Sequence, residues 1–196
     1  MKLDNFVHIP QGLQEENKNC CWIACAAMLI KYFSDLDYSV DSLARSLGLD
    51  KSTQGSPIDI LARVYRGIYS FSDMPMDNHA LPTIEEIEWE IAGHNSTRTK
   101  RPLLCCVGTE EPTIIDSYTE RPMGNPEYNN GHWIIITGIN RESGKCKLNI
   151  SDPALCSPTE VDYDIKEYKR CGLEGKYYWE NTTYFNFFGS RPYQVV

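Results

Sequence analysis

The sequence predicts an α+β fold. Helical periodicity fills roughly the first half, β-branched apolar runs fill the second, and one nearly all-apolar segment close to the start requires a buried central helix. That segment is CWIACAAMLIKYF, residues 21–33, where Lys31 is the only charge; a helix apolar around nearly its whole circumference is enclosed on most sides. Two covering helices with a single apolar stripe follow. They are VDSLARSLGL, introduced by Ser39, and PIDILARVYRG, introduced by Ser56 and Pro57 and closed by Gly67. In TIEEIEWEIAG the residues Ile84, Ile87 and Ile91 have helical spacing, Thr83 supplies the cap, acidic residues occupy the first turn and Gly93 ends the helix.

Strand character dominates after the polar stretch HNSTRTKR. PLLCCVG, residues 102–108, is a short continuous apolar run that reads as an interior strand. Residues 108–130 hold three prolines and two glycines with no clean period, which predicts a long loop. HWIIITGIN and KCKLNISDP, separated by turn residues 141–144, make a β-hairpin, and the aromatic run YYWENTTYFNFF adds further strands. Without repeats or a Pro, Gly or Ser-rich linker, residues 1–196 are expected to form a single domain, helical over about 1–100 and sheet-forming over about 101–196.

Composition narrows the function classes. A formal net charge of -8 argues against nucleic acid as a partner, because that affinity rests on clustered Lys and Arg. No stretch approaches the roughly 20 apolar residues that cross a bilayer, and MKLDNFVHIPQGL lacks the apolar core of a signal peptide. The expectation is a chain that does not engage a membrane, cytoplasmic or exported without a standard signal. Eight cysteines raise the question of disulfides, but Cys20 with Cys21 and Cys105 with Cys106 are sequence neighbours, which bridge only under strain. Bridges among Cys146, Cys156 and Cys171 stay open; a reducing compartment is the preferred reading. No Cys-x-x-Cys pair exists, so neither a metal nor another cofactor is expected.

A cysteine is nucleophilic as thiolate, which at neutral pH needs local stabilisation. Cys21 opens the central helix after the polar run GLQEENKN, so the positive end of the helix dipole points at its sulfur. Cys20 competes for the role by position alone, and Cys25 reads as a small apolar core residue. Histidine is the natural base. Of the four, His8 lies near the beginning, His79 in a polar stretch and His94 at a helix end, whereas His132 opens an apolar strand at the rim of the sheet. With a turn at 141–144, His132 falls opposite Asp152 within one residue, on the same face. Asp152 would then accept from Nδ1 and leave Nε2 for the thiolate; the plainer alternative is that Asp152-Pro153 simply ends a strand.

These residues resemble a known superfamily. NCCWIACAAM is similar to the Cys-Trp-x-Ala segment that opens the central helix of papain-like cysteine peptidases, and GHWIIITGI and ISDPA resemble their histidine and Asp-Pro segments. The likeness is nearest to bacterial members, including effector proteases of plant pathogens and the peptidase domains that trim bacteriocin leaders. It implies a helical lobe whose buried helix carries the nucleophile, an antiparallel sheet lobe, and a triad of Cys21, His132 and Asp152. It also implies an oxyanion-hole glutamine six residues before the nucleophile, where this chain has Glu15; Gln14, with a one-residue insertion, takes the role ahead of Gln11. The expected reaction is hydrolysis of a peptide or isopeptide bond in a protein or peptide substrate, in a bacterial effector or toxin. Acyl transfer, transglutamination, deamidation and a catalytically silent binding module are the alternatives. Glu110, Glu111, Asp116 and Glu120 in the long loop either favour basic substrates or, more plainly, are solvated. Oligomeric state is not legible.

Overall fold

The computed structural model describes residues 1–12, 19–34, 36–65, 69–73, 81–94, 98–108, 114–115, 122–123, 131–142, 144–164, 167–168 and 177–187. Its helices are α1 (Cys21–Phe33), α2 (Val40–Leu47), α3 (Pro57–Tyr65) and α4 (Ile84–Ala92). Its strands are β1 (Tyr69–Asp73), β2 (Leu103–Gly108), β3 (Ile114–Ile115), β4 (Pro122–Met123), β5 (His132–Glu142), β6 (Lys145–Ser151), β7 (Thr159–Asp162), β8 (Glu167–Tyr168) and β9 (Tyr177–Phe187). The fold is α+β, with every described strand pair antiparallel.

Local chemistry sets most helix boundaries. Ser39 caps α2 by accepting from the Ser42 N–H, and Thr83 with Glu86 forms a complete capping box on α4. Gly48 and Gly93 close these helices in the left-handed conformation. Pro57 opens α3 as expected, while Gly67 lies outside the described residues. In α1 every residue from Cys21 to Ile30 is buried, the enclosure that its all-round apolarity requires.

The main sheet runs in the order β1-β9-β2-β5-β6-β7, with β8 added on β9. Its two faces serve different cores. Leu104 and Ile135 join the cluster built on α1, α2 and α3, whereas their neighbours Leu103, Ile134 and Ile136 join the cluster that includes Ile87 and Ile91 of α4. Alternation along β2 and β5 thus places helices against both sides of the sheet.

Three features depart from the sequence reading. β1 comes from the helix-rich part of the chain yet pairs with β9 at the far end of the sheet. The segment expected to be a long loop contains the short pair β3 and β4. The hairpin turn is tighter than residues 141–144: Glu142 still pairs with Lys145, and Gly144, at φ 79, supplies the left-handed residue a two-residue turn needs. A bulge follows, because the register shifts between Ile136 and Gly138. There the first residues of the chain dock: Leu3 N–H donates to Thr137 O at 2.8 Å, and Lys2 bridges to Gly138.

Candidate active site

The turn and bulge determine how His132 meets Asp152. The last pair of the ladder is Ile135 with Ser151, so the same register carried onward puts Ala154, not Asp152, across from His132. Asp152 is therefore a diagonal neighbour on the same face, a distance that only the far end of a long side chain spans. His132 Nε2 donates to Asp152 Oδ1 at 2.7 Å. This corrects the expected ring orientation, since Nε2 rather than Nδ1 engages the carboxylate and Nδ1 is left for sulfur. The Cys21 thiol lies near enough to act on the imidazole. The structure thus brings Cys21, His132 and Asp152 together.

Asp152 is wholly buried, and its oxygens are supplied with donors. Oδ1 also accepts from Ala154 N–H at 3.0 Å, and Oδ2 accepts from Tyr168 Oη at 3.0 Å. The Ala154 bond forms an Asx turn, and Leu155 N–H donates to Asp152 O, so the residue ends its strand as well as holding the histidine. Asp152 thus terminates its strand and bonds His132 with the same side chain and carbonyl.

Burial pulls the His132 pKa down, but the hydrogen bonds to Asp152 and Cys21 and the charges of both groups outweigh it and raise it to about 9. Cys21 is only 7% exposed and is the first residue of α1. That helix has no side-chain cap on its N-terminus and no acidic residue in its first turn, in contrast to α2 and α4. Its positive end is not offset by its own side chains. Cys20 is turned away, fully buried, with its Sγ donating to Lys51 O at 3.5 Å. Cys25 is buried one turn on, and burial pushes its thiol well above the usual range. The seven described cysteines are free; Cys171 lies outside the described residues.

Gln14 and Glu15 lie outside the described residues, as do His79 and the acidic residues Glu110, Glu111, Asp116 and Glu120. Gln11 is held beside the site, its N–H donating to Pro153 O at 2.8 Å. His94 follows the end of α4, exposed and against Trp89.

Two supporting residues were not singled out from sequence. Tyr168 grips the carboxylate from β8. His8, part of the leading segment, shares a 2.6 Å hydrogen bond between Nδ1 and Ser151 Oγ and donates from Nε2 to Leu155 O at 2.9 Å, bracing both flanks of Asp152. The partners are 143 and 147 positions away, a separation that leaves no local pattern.

The sequence model of the Peptidase_C39 like family matches residues 4–185, a span that takes in every described residue of this site. A search of curated proteins gives no match.

Proposed function

The chain belongs to the Peptidase_C39 like family of cysteine peptidases, and from that premise we propose that it hydrolyses a peptide or isopeptide bond through a thioester on Cys21. The observation that carries the reading is one imidazole bonded to a buried carboxylate and acted on by the thiol that opens α1.

In this proposal Cys21 and His132 react as a thiolate and imidazolium pair, with the proton residing on His132. The sulfur attacks the carbonyl carbon, and the negative charge that develops on oxygen is met by the N-terminal end of α1, including the Cys21 N–H. In this proposal Gln14 supplies the second donor; a glutamate in that place would repel the oxyanion. Nδ1 of His132 then protonates the departing amine, the acyl group stays on Sγ, and water deprotonated by the same nitrogen cleaves the thioester. Asp152 remains charged throughout and holds the ring by Nε2.

Transglutamination, other acyl transfer and deamidation share the path as far as the thioester and differ in the substrate carbonyl or the incoming nucleophile. The likeness to effector proteases extends the proposal to action on proteins of another cell. Profiling new termini and altered side chains in a proteome exposed to wild type and to Cys21→Ala separates these chemistries and names the substrates. Cys21→Ala is expected to abolish turnover while changing stability by about 1 kcal/mol or less. Turnover retained in that variant removes Cys21 from the mechanism, and a well-folded wild type that alters nothing leaves the silent binding module.

A further inference from the structure

The segment between α2 and α3 presents a run of backbone carbonyls to the residues that flank the nucleophile and the base. Lys51 O accepts from Cys20 Sγ at 3.5 Å, Ser52 O from Asn19 Nδ2 at 2.9 Å and Thr53 O from Trp22 Nε1 at 3.2 Å. Gly55 O accepts from Trp133 Nε1 at 3.0 Å. Residues 19, 20 and 22 surround Cys21 at the start of α1, and Trp133 follows His132 on β5. One short stretch of backbone therefore ties both halves of the proposed dyad, which belong to different elements.

The stretch is itself braced. Asp50 Oδ1 accepts from Ser52 N–H at 2.9 Å and from Ser52 Oγ at 2.7 Å, Asp50 O accepts from Thr53 Oγ1 at 2.9 Å, and Lys51 Nζ reaches Asp41 Oδ1 of α2 at 2.8 Å. Gly55 is required by space: a Cβ there would stand 2.8 Å from Trp22 Cε3, with two further ring atoms at 2.9 Å. The Trp22 ring thus lies directly on the Gly55 backbone, while the Trp133 indole bonds to that residue's carbonyl.

We infer that the 51–55 turn is a positioning clamp that sets the separation of Cys21 from His132, with Gly55 and the indole N–H of Trp133 as its positioning groups. The inference rests on the catalytic reading of Cys21 and His132. A misplacement of about 1 Å at reacting groups lowers rates by as much as about a hundredfold.

The test needs no substrate. The rate at which iodoacetamide alkylates Cys21, located by peptide mapping, is measured from pH 5 to pH 10 in wild type, His132→Ala, Trp133→Phe, Gly55→Ala and Gln54→Ala, with near-ultraviolet circular dichroism as the fold check. Trp133→Phe keeps an aromatic ring and deletes the donor; Gln54 is exposed and serves as the control on the same turn. The expected result is a rate at neutral pH about tenfold below wild type in Trp133→Phe and Gly55→Ala, with pH profiles displaced toward that of His132→Ala, and a wild-type profile in Gln54→Ala. Wild-type profiles in both clamp variants overturn the clamp while leaving the dyad standing. A His132→Ala variant that alkylates like wild type overturns the catalytic reading and the clamp with it.

Discussion

At neutral pH the His132 imidazole carries a proton, because its pKa stands at about 9, and this is the form that donates to a leaving amine. Of the interactions that raise the value, the hydrogen bond to Asp152 is the largest. The loss of kcat/KM on the alkaline side is therefore expected near pH 9. Asp152→Asn tests the assignment sharply. An amide can keep the geometry, with its oxygen accepting from His132 and Ala154 and its nitrogen turned to Tyr168 Oη, but it removes the charge. The alkaline limb should move toward neutral pH, with less loss of activity than in His132→Ala; a limb that stays put would show that another group sets it. Tyr168→Phe probes the other oxygen. Removing one donor from a fully buried carboxylate should cost about 1–3 kcal/mol in urea unfolding and loosen the aspartate.

Among the elements, α4 offers the cleanest separation of stability from chemistry. Its capping box joins Thr83 Oγ1 to the Glu86 N–H and the Glu86 carboxylate to the Thr83 N–H, on a helix across the sheet from α1. Thr83→Ala should cost about 1 kcal/mol by thermal unfolding and leave Cys21 alkylation unchanged. A large change in alkylation would mean that α4 is coupled to the site through β5. Caps of this kind are why α2 and α4 were legible, through Ser39, Thr83 and Gly93 acting on their immediate neighbours, whereas α1 was legible from its nearly unbroken apolar run. The strands of the hairpin were equally legible from their β-branched runs. Their register was not, since Glu142 and Lys145 prolong the ladder and a bulge at Thr137 shifts it, and neither has a compositional mark. β1 escaped although YSFSD alternates aromatic and polar residues, because five residues among helical segments are a short signal. Within the site, Cys21 stood out because it opens the central helix, His132 because it is one of only four histidines and opens an apolar strand, and Asp152 because it falls near His132 across the hairpin. Tyr168, His8 and the carbonyls of 51–55 did not, because a distant tyrosine or a backbone oxygen looks the same wherever the chain happens to fold it.

For the whole molecule, the protonated histidine links the site to global stability. His132 has a pKa near 6.5 when unfolded and about 9 when folded, so between these values the native state holds a proton that the unfolded chain releases. The sign follows directly. This contribution is fully present below pH 6.5, declines as pH rises, and is gone once pH has passed through about 9. It is not a surface effect, because the ring is 14% exposed and its partner Asp152 is 0% exposed, so salt should screen it little. Urea midpoints measured from pH 6 to pH 10 should therefore fall with rising pH in wild type, and the fall should flatten in His132→Ala. Asp152→Asn should retain a shallower slope than wild type, since it lowers the folded-state value without removing the ring. The same series at high and low salt distinguishes this buried pair from exposed ones such as Lys51 with Asp41, whose contribution declines as salt is added. A wild-type midpoint that does not move across this range would mean that the folded histidine titrates where the unfolded one does, and would overturn the raised value and the stabilising role of the Asp152 bond.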